Sequence, residues 1–421
     1  MTLSVGLLHF TAPPVTGGVE TVLGHHARLL ADAGHHVRVI VGRGGSVDPR
    51  ADLVRIPTAD TRNAAISAMQ RAIDRGRVPP GFDALVAALA DDLRRATDDL
   101  DVVIAHNVCS INLNVVLTAA VQRLADAGTG PTIVAWNHDV AAVSARLGPR
   151  LHPGYPWDLF RRPWPGVVPV VVSEARRVEL ATATGTPPDA IRVVPNGIDR
   201  AAFLGLGPAT RRLVDALGLA EAAPILLAPA RVTPRKNLEL AIAVVAEMRR
   251  AGDDARLIVT GAKDPHDPDG ATYLAALRRL IAAEGVADGV HLLVDGPAGW
   301  RSARVVAELF RVADALFYPS RDEGFGLPVL EAAVCRLPVF CADVPSLRES
   351  GGPDAVYLGP DGDPAWVAAL VRAHLSGDPA YRLAARVRAT YEWSAIYATH
   401  IEPLLRDVVA ERIRPRASAT A

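Results

Sequence analysis

Two glutamates with seven residues between them, Glu323 and Glu331, enclose the most distinctive chemical pattern in the chain. The segment directly follows a predicted buried strand, Ala315 to Tyr318, and contains Pro328, a residue suited to the first turn of a helix. Glycines in such a loop let the backbone approach a ligand closely, and the amides at a helix N-terminus favour an anion. The segment therefore predicts an anion site at the end of a strand.

The two carboxylates need a different partner from that anion. Phosphates would repel them, so we expect Glu323 and Glu331 to accept hydrogen bonds from hydroxyls, as on sugars or ribose. This prediction puts Glu331 in the first turn of the helix. The alternative is that Glu331 only complements the helix dipole and Glu323 is solvated.

A second polar loop, which contains Arg231 and Lys236, follows another predicted strand, Pro224 to Ala230. An arginine fork and a compact ammonium on either side of a proline turn could share the oxygens of a phosphate. Lys236 is one of only two lysines in the chain, the other being Lys263. A solvated basic surface is the alternative, but the position at the end of a strand favours a site.

Two histidines follow predicted strands in the first half of the chain. His138 comes after Thr132 to Trp136, and it could steady a sugar or a developing charge or be a structural histidine bonded to the backbone. His106, with Asn107, comes after Asp101 to Ala105 and could line an acceptor or cap the next helix. Asp139, next to His138, is a candidate on the acceptor side.

Aromatic residues make up 5% of the chain, yet four of them cluster within ten residues: Tyr155, Trp157, Phe160 and Trp164. Flat apolar faces next to Arg161 and Arg162 suit a sugar ring or an amphipathic acceptor, and the arginines suit an acceptor carboxylate or phosphate. The alternative is that this proline-rich segment packs against its own domain.

The elements that must position these residues alternate between strand and helix. The predicted strands begin with Ser4 to Phe10 and His36 to Val41, and a fresh series begins near residue 224. Continuous Val and Ile runs indicate parallel sheets covered on both faces, so we predict an α/β protein with two doubly wound, Rossmann-like domains facing across a cleft. Its ligand would lie in that cleft. Pro403 is expected to kink or interrupt the last helix, Ser394 to about Arg412.

Composition excludes several classes of protein. With 45 basic and 46 acidic residues, the net charge of −1 provides no general field for nucleic acid. No apolar run is long enough to span a bilayer, so we expect a cytosolic protein, and peripheral membrane contact stays open. Three cysteines in no zinc spacing and an acidic loop at 264–270 that fails the calcium-loop pattern at both ends predict no metal site.

The ordered motifs resemble those of the family 4 glycosyltransferases, the retaining GT-B class that uses nucleotide diphosphate sugars. Glu323 and Glu331 match the family's two-glutamate motif, and Arg231 and Lys236 match its diphosphate-binding pair. The glycine loop at 17–20 and the junction segment at 195–199 are also similar to family segments. The resemblance implies an N-terminal acceptor domain at 1–195, a donor domain at 196–393, and a final helix at about 394–415 that returns to the first domain.

The resemblance also implies a role for each matching residue. Glu323 and the amides of Gly324, Phe325 and Gly326 would face the donor sugar, Leu327 would lie near the nucleotide, and Glu331 would take the ribose hydroxyls. Arg231 and Lys236 would neutralise the leaving diphosphate, His138 would lie near the sugar, and Gly17 and Gly18 would approach the phosphates. The predicted acceptor residues are His106, Asp139, Tyr155, Trp157 and Arg161.

The resulting prediction is metal-independent, retaining transfer of a hexosyl group from a GDP-mannose or UDP-glucose type of donor to a hydroxyl of a small polar acceptor. No cofactor is expected beyond the donor substrate. A nucleotide-sugar epimerase, a phosphorylase on the same fold and a non-catalytic sugar-binding protein are the alternatives. The sequence leaves open the choice among UDP, GDP and ADP, the acceptor, the linkage and the oligomeric state.

Overall fold

The structure is a computed structural model that describes residues 2–261, 270–359 and 361–413. Contacts divide the chain into two compact units, Met1–Gly197 with Trp393–Ala421, and Ile198–Glu392. We call them the N-terminal unit and the C-terminal unit. The tail after residue 413, Lys263 and the acidic loop up to residue 269 lie outside the described residues.

The N-terminal unit is built on a seven-stranded parallel sheet with the order β3-β2-β1-β4-β5-β6-β7. Its elements are β1 (Ser4–Thr11), α1 (Gly18–Asp32), β2 (His36–Arg43), β3 (Asp52–Arg55), α2 (Ala64–Ile73), α3 (Phe82–Thr97), β4 (Val102–His106), α4 (Val115–Ala127), β5 (Thr132–Asn137), β6 (Val168–Val171), α5 (Glu174–Thr184) and β7 (Arg192–Val193).

The C-terminal unit contains a six-stranded parallel sheet with the order β10-β9-β8-β11-β12-β13. Its elements are α6 (Arg200–Phe203), α7 (Pro208–Ala216), β8 (Ile225–Ala228), α8 (Leu238–Arg250), β9 (Arg256–Val259), α9 (Gly270–Ala283), β10 (Val290–Leu292), α10 (Ala303–Val312), β11 (Ala315–Tyr318), α11 (Leu327–Val334), β12 (Val339–Ala342), α12 (Pro345–Gly351), β13 (Val356–Leu358), α13 (Pro364–Gly377) and α14 (Pro379–Tyr391). Two further helices, α15 (Trp393–Ile396) and α16 (Glu402–Ile413), belong to the N-terminal unit.

Each sheet is covered on both faces, which explains why its central strands are apolar throughout. In β4, alternate residues enter two different cores: Val102 and Ile104 pack with α1 and the last helices, while Val103 and Ala105 pack with α3 and α4. The C-terminal sheet divides its side chains between two cores in the same manner. The predicted fold class, an α/β chain with two Rossmann-like sheets, is confirmed.

The last helix is interrupted, as Pro403 predicts. The chain leaves α15, makes a π-helical turn at Tyr397–Ile401 and continues as α16, with Pro403 as the second residue of α16. Proline has no backbone donor and its ring crowds the carbonyl four residues earlier, so a widened turn just before it relieves both conflicts. Ile396, Ile401 and Leu404 remain buried in the N-terminal core across the interruption.

Candidate active site

The two polar loops of the C-terminal unit meet because β8 and β11 are neighbours at the point where the strand order reverses. In open α/β sheets, ligands bind outside the carboxyl ends of the strands at this point. The amide of Arg321 donates to the carbonyl of Arg235 at 2.8 Å, and the Ser320 hydroxyl donates to the same carbonyl at 3.2 Å. These bonds hold the loop after β11 against the loop after β8.

Lys236 and Glu323 form a buried ion pair across these loops. The side chain of Lys236 is 6% exposed and that of Glu323 is 10% exposed. The Lys236 ammonium contacts the Glu323 carboxylate and donates to the Tyr318 hydroxyl at 2.8 Å. The structure therefore pairs Lys236, which was predicted to bind phosphate, with Glu323, which was predicted to bind a sugar. The sequence motifs did not indicate this pairing.

The surroundings of the pair keep the carboxylate charged. Burial acts to raise the pKa of Glu323, but the polar groups around the carboxylate, the Lys236 ammonium first among them, outweigh it and lower that pKa below its usual range. Burial also lowers the pKa of Lys236, against the opposing effect of Glu323. Since Lys236 neutralises Glu323, this carboxylate can stand next to a phosphate with much less repulsion.

Helix α11 begins directly after the glycine loop. Gly326 precedes it with a φ of 88°, a left-handed conformation that favours glycine. Phe325 and Leu327 are exposed at 48% and 61%, so both have surface available to a ligand. The prediction that Glu331 lies in the first helical turn is wrong: because α11 begins at Leu327, Glu331 is its fifth residue and opens the second turn, where it is exposed.

Gly326→Ala is expected to destabilise the C-terminal unit by about 1–3 kcal/mol, because a non-glycine residue is strained in this conformation. An added Cβ would also lie 2.5 Å from Leu347 Cδ2 and 3.0 Å from Ser350 Oγ. Gly324→Ala is the matched control, since a Cβ there meets nothing within 4 Å. Urea unfolding of the full chain measures the free energy of unfolding of both variants. Equal stabilities of the two would contradict a requirement for glycine at position 326.

Arg231 occupies the start of the β8 loop and is exposed, while Lys236 at its end is buried. Between them, Val232 and Thr233 are buried and anchor the loop. Arg235, which sequence reasoning left unassigned, donates to the carbonyl of Asp322 at 3.1 Å and lies 3.9 Å from Glu323. The basic loop is thus partly a buried structural element rather than a freely solvated surface.

In the N-terminal unit, the predicted glycine loop overlaps the start of α1: Gly17 precedes the helix, Gly18 is its first residue, and the two glycines differ. A Cβ on Gly17 would lie 2.1 Å from Glu20 Oε2, so Gly17 makes room for the Glu20 carboxylate at the start of the helix. Thr11 Oγ1 donates to Glu20 Oε1 at 2.6 Å and fixes that carboxylate. Gly18 is exposed and a Cβ there meets nothing within 4 Å, so Gly18 is the member of the pair that a ligand can approach.

His138 belongs to a cluster of four buried histidines that also contains His9, His26 and His106. His106 Nδ1 and His138 Nε2 are 3.2 Å apart, the His26 and His106 rings are 5.0 Å apart, and His9 Nδ1 donates to the His106 carbonyl at 2.7 Å. Burial lowers the pKa of His26 to about 3 and that of His138 to about 4. His138 is therefore a neutral hydrogen-bonding group at pH 7, not a cation.

Asn107 positions the loop that carries His138 and Asp139. Its Oδ1 accepts from the amide of His138 at 2.7 Å and from that of Asp139 at 3.1 Å, and its Nδ2 donates to the Asp139 carboxylate at 3.1 Å. The alternative that His106 and Asn107 cap the following helix is wrong, because Asn114 caps α4 through a bond to the Leu117 amide. His106 is fully buried, whereas Asp139 is exposed.

The aromatic segment mostly packs against its own unit. Trp157 is 4% exposed and its ring meets His152 edge-on, so it offers no free face to a sugar. The Arg161 guanidinium donates to the carbonyls of Leu151 and His152, at 2.9 and 3.3 Å. Tyr155 is 42% exposed and packs edge-on against Phe82. The structure therefore favours the packing alternative for Trp157 and Arg161, because their polar or flat surfaces are already in use.

Two members of the histidine cluster, His9 and His26, and the Tyr318 hydroxyl were absent from the predicted site. The sequence carries no local signal for them, since each lies inside an apolar strand or helix. Within residues 2–261, 270–359 and 361–413, no group of three His, Cys, Asp or Glu side chains could hold a metal ion. Across the same residues, no helix is both long enough and apolar enough to cross a membrane.

Each unit contains a doubly wound parallel sheet, and in the C-terminal unit the basic loop and the loop that carries Glu323 meet at the switch point, where open α/β sheets bind ligands. Two family models match most of the chain: "Glycosyltransferase Family 4" at residues 16–202 and "Glycosyl transferases group 1" at residues 210–388. The chain belongs to the family 4 type of glycosyltransferase.

Curated relatives resemble parts of the chain. The D-inositol 3-phosphate glycosyltransferase of Kineococcus radiotolerans is 31% identical over 270 residues, which are 59% of each protein. The MMP alpha-(1->4)-mannosyltransferase of Mycolicibacterium hassiacum is 26% identical over 84% of each. The chain spans about half the length of several curated relatives that it matches. Among solved structures, a glycosyltransferase from Rickettsia africae ESF-5 aligns over 97% of this chain and 99% of its own, with 15% identity and a TM-score of 0.37.

Proposed function

We propose that this chain transfers a hexosyl group, with retention, from a nucleotide diphosphate sugar to a hydroxyl of a small polar acceptor without a metal ion. The observation that carries the proposal is the Lys236–Glu323 pair at the carboxyl ends of β8 and β11. An ammonium held there suits the charge of a leaving diphosphate, and a neutralised carboxylate next to it suits sugar hydroxyls. One relative is named a GDP-mannose-dependent mannosyltransferase and another a mannosyltransferase, which supports the GDP-mannose type of donor.

The reaction breaks the bond between the anomeric carbon and the diphosphate oxygen and forms the bond to the acceptor oxygen on the same face. The acceptor's proton passes to the leaving phosphate, so no protein base is required. Arg231 and Lys236 stabilise the charge that grows on the diphosphate. Glu323 orients the sugar through its hydroxyls, and Glu331, exposed on α11, binds the ribose hydroxyls. Neutral His138 contributes as a hydrogen-bonding group.

Calorimetric titration with UDP, GDP and ADP in EDTA tests the donor site. We expect one nucleotide to bind in the chelator, and Glu331→Ala to weaken its binding about tenfold, because a bond to a charged group is lost. Glu349→Ala removes another exposed glutamate of the same unit, on α12, and serves as the control. Binding that disappears in EDTA and returns with Mg²⁺ would contradict metal independence, and equal effects of the two variants would contradict the ribose role.

Turnover distinguishes transfer from the alternatives. The substrate for this assay is a sugar derivative of the nucleoside diphosphate that binds in the titration. Release of that nucleoside diphosphate should require an added acceptor alcohol. NMR of the glycoside product should show the same anomeric configuration as the donor. Inverted product would overturn the retaining mechanism. Conversion of the donor to an epimer without an acceptor would replace the transferase proposal.

A further inference from the structure

A cavity of about 160 Å³ lies in the N-terminal unit, between β5, β6 and α5 on one side and the aromatic segment on the other. Its walls are mainly apolar and include Phe160, Trp164 and Leu180. Arg162 is the one charged side chain among the described residues that line it, and Arg162 is exposed. Neither the donor nor the proposed polar acceptor accounts for this cavity.

Two polar side chains of the lining have atoms without partners. Ser110 and Asn137 are 5% and 2% exposed, and no hydrogen bond reaches Ser110 Oγ or Asn137 Oδ1. The orientation of the Asn137 amide is set by the strands: its Nδ2 donates to the carbonyls of Ala135 at 3.0 Å and Val170 at 3.1 Å. Exchanging the two amide atoms would place the amide oxygen against both carbonyl oxygens, so Oδ1 is the amide atom that lacks a partner.

The chemistry of the lining limits the occupant. An anion or cation would lose its hydration among apolar walls without a buried counter-charge, and a hexose would leave most of its hydroxyls unpaired. An apolar cavity of about 150 Å³ in another protein holds one benzene molecule, so a single ring or a short chain fits the volume here. One hydroxyl on such a molecule could donate to Asn137 Oδ1 and accept from Ser110 Oγ.

We propose that this cavity is a binding site for a small neutral alcohol, aromatic or short-chain, with its hydroxyl at Ser110 and Asn137 and its apolar body against Phe160 and Trp164. The exposed lining residues Arg162 and Ala190 mark its mouth. The site is distinct from the donor site of the C-terminal unit and goes beyond the proposed function, so its test does not depend on transferase activity.

Phenol and toluene form the decisive probe pair, because they share a ring and differ in the hydroxyl. We expect phenol to bind the full-length protein with a Kd of about 1 mM or below, toluene about tenfold more weakly and benzoate not measurably. Ser110→Ala should weaken phenol about threefold to tenfold and leave toluene unchanged. Ala190 is exposed at the mouth of the cavity, so Ala190→Trp should block entry and abolish binding of both probes with little effect on folding.

Each other result overturns the proposal. Equal affinities for phenol and toluene would show that the buried oxygens do not select a hydroxyl. No binding of phenol below about 10 mM would mean that the cavity holds water only. Phenol binding that persists in Ala190→Trp would locate the probe elsewhere. Thermal unfolding of each variant verifies that a loss of binding is not a loss of fold.

Discussion

Lys236→Ala is expected to weaken binding of the nucleoside diphosphate about 10- to 100-fold while changing the affinity for the matching monophosphate by less than about threefold. The reason is that the proposed target of the ammonium is the phosphate that bears the sugar, which the monophosphate lacks. Calorimetry of both ligands with the same base isolates this contact from those of the base and ribose. Equal losses for the two ligands would contradict the diphosphate role.

A double-mutant cycle separates ligand binding from structure at this pair. Lys236→Ala alone removes the cation in contact with the buried Glu323 carboxylate and leaves only Arg235, 3.9 Å away and half exposed, so we expect a loss of up to about 3 kcal/mol in the free energy of unfolding. Adding Glu323→Ala removes that uncompensated charge, so the double variant should be more stable than the sum of the single changes. Its diphosphate binding should nevertheless stay weak, because the ammonium is still missing.

The outcome that would overturn the assignment is recovery of diphosphate binding in the double variant. In that case the lysine serves only to neutralise the glutamate, and repulsion by the glutamate explains the loss in the single variant. Arg249→Ala provides a control for the removal of a paired cation. Arg249 lies at the other end of α8 and pairs with Asp254 at 3.0 Å and Asp288 at 2.6 Å.

Periodicity predicted the interior elements well because their burial is continuous. The predicted bounds of β11, Ala315 to Tyr318, coincide with those in the structure, and the predicted strand Asp101 to Ala105 is offset from β4 by one residue. Some of the elements that escaped prediction lie at edges or carry charge: β3 is a four-residue edge strand with a charged residue at each end, β13 is an edge strand of three residues, and α5 is rich in Arg and Glu. Helix α13 also escaped prediction, although it carries a buried apolar face. A short or half-exposed element needs no apolar run, so its sequence gives a weaker signal.

The same distinction applies to the candidate site. The position of a residue after a strand predicts which sheet edge it occupies, which was enough to select Lys236, Glu323 and His138. Which side chains meet across loops depends on contacts between residues far apart in sequence, 87 positions for Lys236 and Glu323. The sequence pattern therefore assigned these two residues to separate ligand groups, whereas packing joins them.

The buried histidines should make the N-terminal unit sensitive to acid. An unfolded histidine has a pKa of about 6.5, whereas burial lowers the pKa of His26 to about 3 and that of His138 to about 4. Between these values the unfolded chain binds more protons than the folded one, so stability falls as the pH drops below about 6.5. At pH 4.5 each of these two histidines should lower the free energy of unfolding by about 2–3 kcal/mol relative to its value above pH 7, where neither histidine lowers it.

His26→Leu tests this account at the most favourable position. His26 is 1% exposed, both of its ring nitrogens lack partners, and its ring packs edge-on against Trp136 and Trp393. Replacing it by a side chain of similar volume removes two buried polar atoms, so we expect the free energy of unfolding at pH 7.5 to stay level or rise by about 1 kcal/mol. At pH 4.5 the gain over the parent should grow by about 2 kcal/mol.

Hydrogen exchange of the peptides from β1, α1 and β4, measured at both pH values, follows opening of the N-terminal unit without contributions from the other unit. His36→Gln, at an exposed position on β2, is the control and should show the pH dependence of the parent. Parallel pH profiles for His26→Leu and the parent would mean that His26 binds a proton in the folded state at ordinary pH. The same result would weaken the description of His138 as a neutral group, because His138 adjoins His26 through the ring of His106.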